Sequence, residues 1–312
     1  MQTITRDQII AVLPQLDLLP IIEEGFRAYS AGDAVVPPVG ELLLDKGEVH
    51  IKYGYLKGGS YYVIKIASGF FANPKIGLPT GNGLMLLFNQ DTGEPVSILQ
   101  DEGYLTDVRT AIAGAIAAKY LAPSEVERIG IVGTGVQARL QLEYLKSVTP
   151  CRKVLVWGRG SEQLARYQQD MASQGYSVEV TPDSGAVLQS CNLIVTTTPA
   201  REPLLASANL QPGTQITAMG SDTLQKQELE PEILQVADLV VADSISQCLV
   251  RGEIHHALDS GHIAQGDIIE LGNIIAGNSA GRTAPDQITI ADLTGVAVQD
   301  IQIATAVYEA LA

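Results

Sequence analysis

The 312 residues, 46% hydrophobic and 18% charged, have the make-up of a globular chain long enough for two domains and a sizeable core. A formal net charge of −15, with a pI near 4.6, sets the average surface field against a phosphate backbone or an anionic membrane, so neither is an expected partner. Cys151, Cys191 and Cys248 are odd in number and lack Cys-x-x-Cys spacing. That points away from a disulfide framework and a zinc site, toward small buried side chains in a reducing compartment.

The amino terminus, Met1 to Asp7, has neither the basic start nor the apolar run of a signal peptide. No stretch approaches the ~18 uninterrupted apolar residues that span a bilayer, and a cytoplasmic location is expected. Residues 5–30 read as helical, because Ile9, Ile10, Val12, Leu13, Ile21, Ile22 and Phe26 recur at three- and four-residue spacings before Pro37-Pro38 ends the region. Strands are expected at Val49–Tyr55 and Tyr61–Ile66 about a Lys57-Gly58-Gly59 turn, then at Gly83–Phe88 and Val96–Leu99 about Asn89–Gly93. His50, on the first of these, reads as an exposed strand residue, and the pleat cannot be oriented from the sequence. The first third is thus a helix plus an antiparallel sheet.

An alanine-rich helix follows at residues 106–120, with Thr106 as N-cap and Ala113, Gly114 and Ala117 small enough for close packing. After Ala122-Pro123-Ser124 the texture becomes β-α alternation. Strands are expected at Arg128–Val132, Lys153–Trp157, Leu193–Thr197, Gln215–Met219 and Leu239–Ala242 with helices between them, the pattern of a doubly wound parallel sheet. His255, His256 and His262 read as members of a Gly-rich loop without the spacing of metal ligands. A short strand at Ile288–Ile290 and a helix within Gly295–Ala312 close the chain.

Ile129–Val132 runs into Gly133-x-Gly135-x-x-Ala138 and then an apolar helix. Gly133 permits the tight turn, Gly135 lets a pyrophosphate approach the backbone, and Ala138 lets helix and strand pack closely. The helix start, with Val136 and Gln137, offers unpaired N–H groups to phosphate. Placed between strand and helix, with a second strand after it, the motif reads as a dinucleotide site. That second strand ends in Trp157-Gly158-Arg159, where an acid would hold the ribose hydroxyls of NAD. Arg159 suits a 2′-phosphate and favours NADP(H) over NAD(H), although an arginine stacked on adenine would serve NAD equally. Thr197 and Thr198 end a strand on the edge where dinucleotides lie.

Lys65–Phe70, Asp107–Ala111, the Gly133 turn, Gly220-Ser221-Asp222 with Glu228-Leu229, and Thr294–Asp300 occur in the order found in the ornithine cyclodeaminase and mu-crystallin family, which the chain resembles from about residue 35 to 300. The resemblance implies an α/β fold in which a Rossmann-type domain, residues 121–294, is inserted in an α+β substrate-binding and dimerisation domain, residues 1–120 with 295–312. It implies that Lys65 is the active-site lysine, that Arg109 holds the substrate carboxylate, and that Asp222 is the acid beside the reacting carbon. It also brings Thr80, and with the motif segments Thr110, Met219, Gly220 and Val298, to the cofactor. Asp300 either caps the last helix or faces the nicotinamide.

Family members that act on ornithine carry an acid at the position of Lys52, and an arginine near Pro37-Pro38 where this chain has Val39-Gly40-Glu41. A cation at Lys52 repels a distal ammonium and attracts a second carboxylate, unless it is an outward-facing strand lysine. The expectation is a homodimeric NAD(P)H-dependent enzyme that moves hydride to or from the α-carbon of a small imino or amino acid, with iminosuccinate reduced to aspartate as the favoured case. The alternatives are a cyclodeaminase with tightly bound NAD that releases ammonia, and a mu-crystallin-like holder of NADPH and a small ligand. No metal is expected.

Overall fold

The amino-terminal periodicity resolves into one strand and two helices in the computed structural model, which describes residues 1–312. Strand β1 (Gln2–Thr5) leads into α1 (Arg6–Val12), where the Thr5 hydroxyl and the Gln8 side chain form a reciprocal capping box, and α2 (Leu18–Ser30) follows. The apolar spacing that makes residues 5–30 look continuous spans a break, because Pro14 lies in a 3-10 turn over Leu13–Gln15.

The chain divides into two compact units, residues 1–110 with 296–312, and residues 111–295. In the first, β2 (Ala34–Val35), β3 (Gly40–Leu44), β4 (Gly47–Leu56), β5 (Tyr61–Gly69), β6 (Gly81–Asn89) and β7 (Pro95–Gln100) join β1 in one sheet. The order is β1-β7-β6-β5-β4-β2, with β3 also paired to β4; β1 runs parallel to β7 and the other pairs are antiparallel. The β6–β7 connection is closed by Asn89, whose Oδ1 accepts from the Asp91 and Thr92 N–H groups, while Gly93 takes φ 73°. The predicted N-cap at Thr106 is corrected: α3 (Tyr104–Leu121) begins earlier, and the Asp101 carboxylate accepts the Leu105 N–H at 2.8 Å.

The second unit is built on a parallel sheet of β8 (Ile129–Val132), β9 (Lys153–Trp157), β10 (Ser177–Thr181), β11 (Leu193–Thr196), β13 (Gln215–Ala218), β15 (Leu239–Ala242), β16 (Ile268–Glu270) and β17 (Thr289–Asp292). Its order, β10-β9-β8-β11-β13-β17-β15-β16, reverses direction beside β8, as in doubly wound Rossmann-type folds. A side pair, β12 (Arg201–Leu205) with β14 (Gln227–Leu229), lies off that sheet. Helices α4 (Val136–Leu145), α5 (Ser161–Ser173), α6 (Gly185–Ser190), α7 (Pro231–Gln235), α8 (Ile245–Cys248), α9 (Gly252–Asp259) and α10 (Leu271–Ile275) make the connections. β8, β11, β13 and β17 are buried along their whole length, which in β8 and β11 goes with nearly continuous apolar sequence. Gly114 of α3 leaves room for the Gln141 amide, since a Cβ there would lie 2.0 Å from its Oε1 and that side chain would have to move.

The chain ends in α11 (Ala297–Leu311), whose residues belong to the first unit and pack on α2, β4 and β5. Gly25 of α2 lets that crossing close, because a Cβ would meet Gln302 Cγ at 2.9 Å. No helix is long and apolar enough to cross a membrane.

One side chain ties three segments of the second unit. Arg282 donates from Nε to the Leu121 carbonyl at 2.7 Å, from Nη2 to the Thr214 carbonyl at 3.2 Å and the Thr289 hydroxyl at 3.1 Å, and from Nη1 to the Gln287 carbonyl. Arg282→Ala should therefore lower the unfolding free energy by about 3 kcal/mol, since part-buried carbonyls lose a charged donor. Denaturant titration followed by circular dichroism checks this, and a midpoint unchanged from wild type contradicts it.

Candidate active site

The pleat of the first sheet decides which lysines meet. On β4, His50, Lys52 and Gly54 are buried while Tyr53 is exposed, so the even positions face inward. The β4–β5 register places Lys52 opposite Lys65, and the two buried ammonium-bearing chains stand side by side on one face. Lys52 is 4% exposed and not an outer-face lysine. The expectation of an exposed His50 is corrected too: it is 8% exposed, with Nε2 at 3.1 Å from Oε1 of its cross-strand neighbour Glu41.

Against this face α11 presents Asp300, which does not cap the helix, whose N-cap is Val296. It lies within the first turn, with Oδ2 at 3.1 Å from Lys65 Nζ and Oδ1 at 2.9 Å from Arg109 Nε. The adjacent Gln299 accepts from Arg109 Nη1 at 3.2 Å. Arg109 thus meets Asp300 at Nε and Gln299 at Nη1, and a guanidinium can pair with a carboxylate in a two-bond fork.

Lys52, Lys65 and Arg109 are buried about the carboxylate of Asp300, whose pKa is lowered by the fields of Lys65, Arg109 and Lys52 in spite of burial. Burial, reinforced by Arg109, pulls Lys65 down to about 8, while Asp300 holds it up. Asp101, 0% exposed, adds a second carboxyl whose own pKa burial raises. The other first-unit candidates are placed as follows. Thr80 immediately precedes β6, with its carbonyl accepting the Phe70 N–H at 2.8 Å; Thr110 follows Arg109 on α3; and Val298 is buried in the first turn of α11.

In the second unit, Gly133, Gly135, Arg159, Thr197 and Thr198 line one cavity of about 240 Å³, together with Thr134, Trp157, Gly158, Pro199, Ala200 and Leu204. Gly133 sits at φ 121°, and a Cβ would fall 2.5 Å from Thr197 Oγ1. Nothing lies within 4 Å of where a Gly135 Cβ would be, which is the open approach a pyrophosphate requires. Gly135 caps α4 with no side-chain bond, and exposed Val136 and half-buried Gln137 open the helix at the end where an anion is favoured. Arg139 fixes the turn by donating to the Thr134 carbonyl at 2.6 Å and the Gly135 carbonyl at 3.1 Å while paired to Asp170. These residues fit a dinucleotide.

Met219 and Gly220 leave the end of β13, where the Met219 N–H donates to the Thr196 carbonyl at 3.0 Å. Asp222 is 2.7 Å from Lys226 Nζ, a partner that sequence reading had not found although it stands at i+4. The histidine loop is corrected to helix: His255 and His256 lie in α9, where their rings bond the Leu249 and Lys226 carbonyls, and only His262 lies beyond it. Gln299 and Arg139 were the other residues passed over, and Asp300, read as a cap or a nicotinamide neighbour, was not read as the counter-ion of Lys65 and Arg109.

The whole chain can be set beside known proteins. An uncharacterized cyclodeaminase of Sinorhizobium fredii is 43% identical over 99% of this chain and 95% of its own length. The iminosuccinate reductase of Paracoccus denitrificans is 35% identical over 82% of this chain and 80% of its own. The structure of an archaeal alanine dehydrogenase dimer with bound NAD superposes with a TM-score of 0.92 at 35% identity, covering 99% of this chain and 95% of that one. Residues 3–312 match the ornithine cyclodeaminase/mu-crystallin family, and the chain belongs to it.

Proposed function

We propose that the protein is a nicotinamide-dependent oxidoreductase working at the α-carbon of a small imino or amino acid, with a dicarboxylic imino acid of the iminosuccinate type as its substrate. The observation that carries this reading is the burial of Lys52, Lys65 and Arg109 on one inward face, where a desolvated carboxylate finds charged donors. One substrate carboxylate takes the Nη end of Arg109, and Lys52 receives the second. Lys65, with a pKa near 8, is a proton donor matched to the imine nitrogen. Asp222 acts as the acid beside the reacting carbon. When bound, the nicotinamide supplies or accepts the hydride.

Gly133, Gly135, Val136 and Gln137 hold the pyrophosphate, Thr197, Thr198, Met219 and Gly220 the nicotinamide half, and Arg159 a 2′-phosphate, which favours NADP(H). Thr80, Thr110 and Val298 are assigned to the cofactor on the family resemblance. Leu42, Leu43, Leu44, Phe71, Ile76 and Leu78 are each at least half exposed on the first unit, an apolar surface that supports a homodimer. The buried thiols suit a reducing, cytoplasmic setting. A cyclodeaminase reading has the Sinorhizobium relative in its favour; it predicts ammonia release without net oxidation of added NADH, whereas the reductase consumes NADH.

Lys52→Ala should reduce kcat/KM for iminosuccinate at least about tenfold, because a desolvated ion pair is lost, and should barely affect an imine of alanine size. Equal losses on both, or a wild-type preference for the neutral imine, would sink the dicarboxylate assignment. The pH profile tests Lys65. Reduction needs the protonated amine, so kcat/KM should fall as pH rises through about 8. Because Asp300 raises that pKa, Asp300→Asn should move the fall to lower pH; an unmoved profile contradicts the coupling. For the cofactor, Arg159→Ala should weaken NADPH by about 1–3 kcal/mol and spare NADH, as titration calorimetry can show. Equal weakening of both would remove the 2′-phosphate contact.

A further inference from the structure

The second unit buries a carboxylate that the proposed chemistry does not use. Glu228, on β14, is 0% exposed. Its Oε2 accepts from the Thr196 hydroxyl at 2.6 Å and the Gly220 N–H at 2.9 Å, and its Oε1 accepts from the Thr198 N–H at 2.6 Å. Those donors sit at and just beyond the ends of β11 and β13. The two ends are in close contact there, since a Cβ on Gly220 would lie 2.2 Å from the Thr198 carbonyl. Thr198 is also part of the cavity wall that runs from Thr197 to Ala200.

From these contacts we infer that Glu228 is a positioning residue for the dinucleotide cavity, its ionised carboxylate clamping Thr196, Thr198 and Gly220 so that the wall beside the Gly133 turn keeps its binding shape. Three donors converge on two oxygens, an arrangement satisfied in full by an anion. An amide sets an N–H against a backbone N–H at either oxygen position, and a protonated carboxyl keeps its Thr196 contact only if that hydroxyl turns from donor to acceptor, so either change weakens the clamp.

The backbone of Glu228 is itself fixed. Glu253 on α9 accepts the Glu228 N–H at 2.7 Å and the Leu229 N–H at 3.1 Å, and Asp292 on β17 accepts the Ile254 N–H at 2.8 Å. Both of those carboxyls are pushed well above the usual range by burial, and their fields reach one another and Glu228. Asp243, at the end of β15, acts on Asp292 in the same sense. Elsewhere around β14, His256 bonds the Lys226 carbonyl, Lys226 pairs with Asp222, and Arg201 and Glu202 on β12 are exposed. Burial raises the Glu228 carboxyl to about 7, against the pull of its three donors. The clamp is therefore lost on protonation near neutrality, and dinucleotide affinity should weaken as pH falls through that range.

This inference rests on the cavity being a dinucleotide site, and the test separates the two. NADH is the probe, because it lacks the 2′-phosphate that titrates near pH 6. Its Kd is measured by fluorescence with the full-length wild type from about pH 8 to about pH 6 and repeated with Glu228→Gln. The wild-type Kd should rise as pH drops. The variant should bind about tenfold more weakly at pH 8 and show a flat profile, with a melting temperature close to wild type. A wild-type Kd independent of pH overturns the inference without any variant, as does a Glu228→Gln protein that binds like wild type or keeps the wild-type pH slope. A wild type that binds neither NADH nor NADPH at any pH removes the dinucleotide reading and this inference together.

Discussion

The carboxylate of Asp300 is the constraint around which the first unit is organised. Burying Lys65 and Arg109 without a counter-charge would cost several kcal/mol for each ion, and the sheet that carries Lys65 holds no acid that reaches both. The counter-charge comes instead from the first turn of α11, near the other end of the chain, at 3.1 Å and 2.9 Å. A unit that needs residue 300 to neutralise residue 65 cannot be completed by a continuous stretch of sequence. Everything between Ala111 and Gly295 then has to be accommodated as an insertion, and the inserted residues form a compact unit with a core of their own.

The two units solve the burial of charge in opposite ways. In the first, Lys52, Lys65 and Arg109 are buried with the Asp300 carboxylate between the latter two, so charge is offset by charge. In the second, Glu228, Glu253 and Asp292 are buried near one another and each carboxyl is displaced upward, with backbone N–H groups as their partners. Such carboxylates contribute order rather than attraction: each accepts donors that strand ends and helix starts would otherwise leave unsatisfied. An acidic protein of net charge −15 thereby keeps positive charge where a carboxylate ligand would need it, and uses buried acids as struts elsewhere.

The sequence was most legible where periodicity and small residues act locally. Buried parallel strands such as Ile129–Val132 and Leu193–Thr196 read as apolar runs, and the spacing of Gly133, Gly135 and Ala138 declared its turn because each residue has a steric task within a few ångströms. The edge strand β10, Ser177–Thr181, was passed over, since a strand paired on one side tolerates polar alternation and lacks the apolar signal. β3 was missed for the opposite reason: Leu42, Leu43 and Leu44 are consecutive and exposed, so no period of two marks them. Pairing across long separations was not legible at all. Whether Lys52 faced inward depended on the pleat and on its register with Lys65, and Asp300 could be recognised as a counter-ion only when α11 was seen lying on that sheet.

The same geometry indicates how one scaffold can be retuned among substrates. Lys65, Arg109 and Asp300 are locked together: Asp300 bridges the other two, and Gln299 secures the guanidinium, so a change at any of these disturbs the charge balance of all. Lys52 belongs to the same buried face, opposite Lys65 in the β4–β5 register, and its field also acts on Asp300. On the proposed reading, the sign of the charge at that one register position is where substrate choice would change while the chemistry is retained.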